Sequence, residues 1–207
     1  MSDARVRREG QLLGALSLAV ADELRAAVEG ASGQVAAAPA ALVALHDLLD
    51  GRSVDRLRRA VGLTPSGGVR LVDRLVADGY VERRPGPDAR TLAVALTPAG
   101  RRAARQVLAA RAAAVEAVLE PLDDDERATL ERLHEKLIAG LTRRRLGERR
   151  RGERGDAAWM CRLCDTQACG RPHGECPAAR VTGAGGPAPT APSAAPPGSP
   201  GRSPRAR

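Results

Sequence analysis

The dipeptide Thr-Pro occurs at residues 64–65 and again at 97–98, and each time it precedes an apolar periodic run. Threonine at the N-cap with proline at the first helical position is a strong helix start, because proline's fixed φ suits that position and its missing N–H is not needed there. Between the two starts lies Pro85-Gly86-Pro87-Asp88-Ala89, turn chemistry that neither flanking run can continue through. Tyr80-Val81-Glu82-Arg83 before it and Thr91-Leu92-Ala93-Val94-Ala95-Leu96 after it read as strands. The segment is thus confined to helix, hairpin, helix.

The chain upstream supplies more helices. Leu12, Leu16, Val20, Leu24 and Val28 recur at near-helical spacing until Ala31-Ser32-Gly33 breaks the run. A second helix is expected from Pro39 to Leu49, closed by Asp50-Gly51. A third starts at the N-cap Ser53 and buries Val54, Leu57 and Val61 before Gly62. The fourth, opened by Thr64-Pro65, ends at Asp78-Gly79, with Val69, Val72, Leu75 and Val76 on or beside its buried stripe and Leu71 flanking it. Two helices joined by the Gly62-Leu63 turn form a helix-turn-helix, and a hairpin directly after it is a wing. Beyond Thr97-Pro98 an Ala-rich helix runs to about Leu119. The acidic run Asp123-Asp124-Asp125-Glu126 then suits the N-terminal dipole of a last helix, over 123–145, with Leu130, Leu133, Leu137 and Leu141 as its stripe. Three amphipathic outer helices are more than one compact winged unit can cover, so a twofold dimer through the terminal helices is expected.

Charge follows the same division. The chain has 33 Lys+Arg against 25 Asp+Glu, net +8. Residues 1–51 are net −3, residues 52–105 net +7, residues 106–141 net −4 and residues 142–207 net +8. One basic segment between two acidic flanks is a local footprint for a polyanion. No run of 18 apolar residues exists, which excludes a membrane-spanning helix, and a cytoplasmic protein is expected. With no Phe, one Trp and one Tyr, a base-stacking sheet is not expected either.

On this pattern the fourth helix presents its N-terminal end to DNA. The Ser66 hydroxyl, Gly67, Gly68 and Arg70 lie near that end, where free N–H groups can take a phosphate and glycine allows close approach. Arg70 is the candidate for a base edge, guanine above all. Arg74 either contacts phosphate or pairs with Asp73 or Asp78. Arg90, near the hairpin tip, is expected to reach a minor groove, while Arg83 and Arg84 flank the backbone. Ser53, Arg52 and Arg56 are candidate phosphate contacts, which make affinity salt-dependent without specifying sequence.

The stretch LTPSGGVRLVDRLVADGYVERRPGPDAR followed by VALTPAG resembles the MarR family of bacterial transcriptional regulators. The likeness is carried by Val72-Asp73-Arg74-Leu75, Gly79, Asp88-x-Arg90 and Leu96-Thr97-Pro98-x-Gly100, in the family's order and spacing. It extends over about residues 10–145 and is strongest over 57–100. It implies a mainly α fold with a small β-wing, a winged helix-turn-helix dimerising through N- and C-terminal helices. It further implies a homodimer on a roughly palindromic double-stranded DNA operator, usually acting as a repressor. A small-molecule effector pocket between the dimerisation helices and the DNA-binding lobe is also implied. The candidate DNA-binding set is Ser53, Thr64, Ser66, Gly67, Arg70, Arg74, Arg83, Arg84, Asp88 and Arg90, with Asp88 fixing the wing tip by pairing with an arginine. The family often has a second basic residue where Ala89 stands.

The family pattern does not supply Cys161-x2-Cys164-x4-Cys169-x6-Cys176, which holds all four cysteines of the chain, with His173 in the last gap. Disulfides are uncommon in the cytosol, so metal or redox chemistry leads. Four thiolates suit tetrahedral zinc, with a Cys3His set through His173 as a variant, and an iron–sulfur cluster uses the same four. A metal-free thiol switch is the third option. A segment this short has no core, so the ion itself would supply folding energy.

The expected organisation is an N-terminal dimerisation helix (1–36), a winged helix-turn-helix lobe (37–97), C-terminal dimerisation helices (98–146), a basic linker (147–156), a cysteine-rich metal-binding motif (157–178) and a disordered tail (179–207). Removing residues 147–207 is expected to leave operator binding intact. A non-enzymatic regulator is the leading reading. A thiol redox protein using Cys161-x2-Cys164 is the alternative, although that pair lacks the strand–helix setting that usually activates one.

Overall fold

The computed structural model describes residues 7–86, 92–152 and 158–183. Helix α1 (Arg8–Ser32) ends at Gly33, whose φ of 63° lets its N–H reach back to the Glu29 carbonyl. It packs along α5 (Pro98–Leu119), which also covers α2 (Ala38–Ala44). Every residue of α2 is buried, and the helix widens into a π-helical turn over Leu45–Leu49. Without phenylalanine, the centre is filled by Leu42, Leu45, Leu49, Leu57, Val72, Leu75, Val94 and Leu96, with Ala38, Ala41, Ala60 and Ala104 bringing helix backbones close. Full burial of each leucine or valine contributes about 1.5–3 kcal/mol.

The helix-turn-helix forms where the caps place it. Ser53 accepts from the Arg56 N–H to start α3 (Val54–Val61), and Gly62 closes that helix at φ 76°. Thr64 accepts from the Gly67 N–H at 3.2 Å to start α4 (Pro65–Ala77). The wing is β2 (Val81–Pro85) and β3 (Leu92–Leu96), antiparallel, with Arg83 opposite Val94. A two-residue strand β1 (Arg52–Ser53) adds to the other edge of β3, giving the order β1-β3-β2. So short a strand has no periodicity to show in sequence. The fold is mainly helical with a three-stranded antiparallel wing, as expected.

Thr97 caps α5 by accepting from the Gly100 N–H at 3.0 Å, and its hydroxyl donates to the Gly79 carbonyl at 2.7 Å. A Cβ on Gly100 would lie 1.9 Å from the Tyr80 carbonyl oxygen. The Leu-Thr-Pro-x-Gly signature is therefore a packing device that seats α5 on the end of the wing stem.

Helix α6 (Asp124–Arg150) opens with a reciprocal capping box between Asp123 and Glu126. It continues past the expected end near 145, because the Arg- and Glu-rich 147–150 stretch contains good helix formers and only Gly147 against them. The final short helix α7 (Pro177–Thr182) occupies part of the stretch expected to be disordered from 179 onward. It packs on α6 through Ala178 and Ala179 against Ile138, and Arg180 pairs with Glu135 at 3.2 Å. Among the described residues no helix is long and apolar enough to cross a membrane.

Candidate DNA-binding face and cysteine module

Helix α4 divides cleanly. Gly68, Val72 and Leu75 are buried, while Ser66, Val69, Arg70, Asp73 and Arg74 face outward. Val69, expected in or beside the buried stripe, is 49% exposed. It sits one residue before Arg70, so the outward face carries an apolar spot among its polar groups. Arg70 and Arg74 are one turn apart on that face. Neither has a carboxylate partner among the described residues, because the neighbouring acids are engaged elsewhere. Asp73 holds Arg83 at 2.5 Å across to the wing, and Asp78 accepts from the Gln34 side chain at 3.1 Å.

The two leading glycines have different surroundings. A Cβ on Gly68 would fall 2.6 Å from the Cβ of Arg58, so this glycine lets α4 lie against α3 and does not serve approach to DNA. At Gly67 the nearest atom to such a Cβ is the Thr64 hydroxyl at 3.1 Å, and the Ser66 hydroxyl lies 3.3 Å from that same oxygen. Ser53 is committed as the cap of α3, at 3.4 Å from the Arg56 N–H. In the wing stem Arg83 is tied to Asp73, and Arg84 to Glu82, while both remain partly exposed. The ion pair from Arg83 links the wing to α4, a contact the sequence does not reveal. Asp88 and Arg90 lie outside the described residues.

The cysteine module, residues 158–183, is built onto the DNA-binding lobe. The Trp159 N–H donates to the Ala60 carbonyl of α3 at 2.8 Å. The Thr166 N–H donates to Asp47 Oδ2 at 2.8 Å, while Asp47 Oδ1 lies 2.5 Å from His46 Nδ1. Trp159 and Leu163 pack against the main core, and a Cβ on Gly62 would come within 2.8 Å of Ala158. With α7 on α6, the module joins the lobe to the last helix. The segment marked for removal by sequence thus covers part of the core.

The four thiols influence one another electrostatically, Cys161 with Cys164 and Cys176, and Cys169 with Cys164 and Cys176. The Cys169 thiol donates to the Thr166 carbonyl at 3.5 Å. The hydrogen bond from Cys161 holds the Cys164 thiol down at about 6, against the opposing effect of burial. Cys161 is pushed up, first by that same bond and then by burial, and burial pushes Cys169 up. All four are free thiols. Among the described residues no group of three or more His, Cys, Asp or Glu side chains is arranged to hold a metal ion.

The helix-turn-helix, the wing stem and the outward cationic face of α4 together define a winged-helix domain. Residues 36–90 match the sequence profile described as MarR family. No curated protein matches the chain. Among solved structures, it is similar to the MarR family protein Rv2887 of Mycobacterium tuberculosis, at 26% identity and a TM-score of 0.52, over 66% of this chain and 98% of that one. It is similar to CouR of Rhodococcus jostii RHA1, solved with p-coumaroyl-CoA, at 27% identity and a TM-score of 0.53, over 67% of this chain and 94% of that one. A MarR family regulator of Silicibacter pomeroyi matches at 26% identity and a TM-score of 0.53, over 68% of this chain and 96% of that one.

Proposed function

We propose that this chain is a sequence-specific DNA-binding transcriptional regulator of the MarR type, a repressor that works as a homodimer on a pseudo-palindromic duplex site. The observation that carries the reading is the outward face of α4, where Arg70 and Arg74 stand without carboxylate partners among the described residues. Arg70 reads a base edge, Val69 touches a thymine methyl, and Arg74 binds phosphate. Arg90 reaches the minor groove from the wing, and Asp88 steadies it. Dimerisation buries Leu12, Leu13, Leu16 and Leu18 of α1 with Leu133 and Leu137 of α6, all about half exposed or more in the single chain. The full chain, titrated onto fragments of its source genome and onto scrambled duplex at several salt concentrations, tests the reading. Specific retention supports it, and equal affinity for all duplexes contradicts it.

The cysteine module extends this regulator. Cys161, Cys164, Cys169 and Cys176 together hold zinc or, as the alternative, an iron–sulfur cluster. Support comes from the gathering of all four free thiols of the chain within residues 161–176, with Cys176 buried. Binding would supply folding energy to a segment with little core of its own. Because the module leans on Ala60 and Asp47, its state is felt at the base of the helix-turn-helix. Small-molecule effectors are a further expectation from the structural relatives, one of which was solved with salicylic acid.

A further inference from the structure

A cavity of about 330 Å³ opens where α6, the π-helical turn, α3 and the cysteine module meet. Its apolar wall is Leu48, Leu49, Leu146, Trp159 and Met160. Its polar wall carries four arginines, Arg56, Arg145, Arg149 and Arg171, and no acidic residue among the described ones. Arg56, Arg149 and Arg171 have no carboxylate partner among the described residues. Guanidinium groups gathered around a partly apolar hollow repel one another unless an anion joins them. The size is that of a small-ligand site.

We propose that this cavity binds an organic phosphate, an anion with an apolar body that lies against Leu48, Trp159 and Met160 while its phosphate accepts from Arg56, Arg149 and Arg171. A dianionic head matches three unpaired cations better than a single carboxylate does, and planar guanidinium suits phosphate geometry. A duplex backbone does not fit the apolar half of the site. Much of the lining comes from residues 142–182, outside the segment that matches the MarR profile, so the site belongs to the added module. Cys161 also lines it, so the titration is made on protein whose metal content and thiol state have been determined first.

Trp159 is the sole tryptophan, which makes its emission a direct reporter. The full chain is titrated with n-octyl phosphate below its micelle concentration, with octanol and with inorganic phosphate, following Trp159 emission and calorimetry. The expected result is saturable binding, one per chain, at least tenfold tighter for octyl phosphate than for either half-ligand. Arg149→Gln, in the exposed last turn of α6, and Arg56→Gln, on the exposed side of α3, should each weaken it about fivefold or more. Both sites are exposed, and unchanged helix content by circular dichroism verifies the fold. Absence of saturable binding, or equal affinity in both variants, overturns the proposal. It is also overturned if Arg149→Gln weakens scrambled-duplex binding while octyl phosphate leaves Trp159 unmoved, because the arginines then serve nucleic acid.

Discussion

The backbone N–H of Thr166 meets the carboxylate of Asp47 at 2.8 Å although the two residues are 119 positions apart. That bond, with Trp159 on Ala60, docks the cysteine module onto the turn that precedes the helix-turn-helix. The module is therefore anchored on the lobe by two of its backbone N–H groups.

Asp47→Ala removes an acceptor that is itself 8% exposed and leaves the Thr166 N–H without it. The cost is about 1–3 kcal/mol. The variant should show a red-shifted Trp159 emission and faster protease cleavage in 158–183, with helix content kept. An emission spectrum identical to the parent's would show that the docking bond does not hold the module.

Gly100→Ala sets a Cβ against the Tyr80 carbonyl and should destabilise the chain by about 1–3 kcal/mol or more in chemical denaturation. Gly140→Ala serves as its opposite, since a Cβ there meets nothing within 4 Å inside α6, and should stabilise by about 0.5–1 kcal/mol. Equal effects at the two positions would mean that α5 is not seated as described.

Leu16→Glu and Leu137→Glu place charge on the exposed leucine rows of α1 and α6. Sedimentation should show each variant shifted toward monomer at concentrations where the parent is dimeric. An unchanged mass in both would move the interface elsewhere.

Zinc, iron and acid-labile sulfide on anaerobically purified protein decide what the thiols hold. About one zinc per chain, with chelation shifting Trp159 emission, is the expected outcome. Iron with matching sulfide would replace zinc by a cluster, and neither metal would leave the four thiols as a redox element.

The helix starts were legible because capping is local: Ser53, Thr64, Thr97 and Asp123 each cap the helix that follows. The outward placement of Arg70 and Arg74 followed from helical spacing alone. Strand β1 was not legible, being two residues long. Nor was the docking of the cysteine module, whose Trp159 and Thr166 N–H groups reach Ala60 and Asp47 from far along the chain, beyond any local pattern. Gly62 was read as a helix stop, which it is, but its second role beside Ala158 depends on chain 96 positions further on, beyond any local pattern. Val69 was misplaced because a valine beside a buried stripe looks apolar to any periodic count, whereas its direction is set by how α4 lies on α3.

The most direct test is footprinting of the full chain on duplexes selected from random sequence, with Arg70→Ala and Arg90→Ala in parallel. The account predicts a pseudo-palindromic protected site occupied by two chains. Arg70→Ala should lose about 1–3 kcal/mol of discrimination at one base pair per half-site, and Arg90→Ala should weaken all sites together. No sequence preference over scrambled duplex, or parental affinity and preference in both variants, would contradict it.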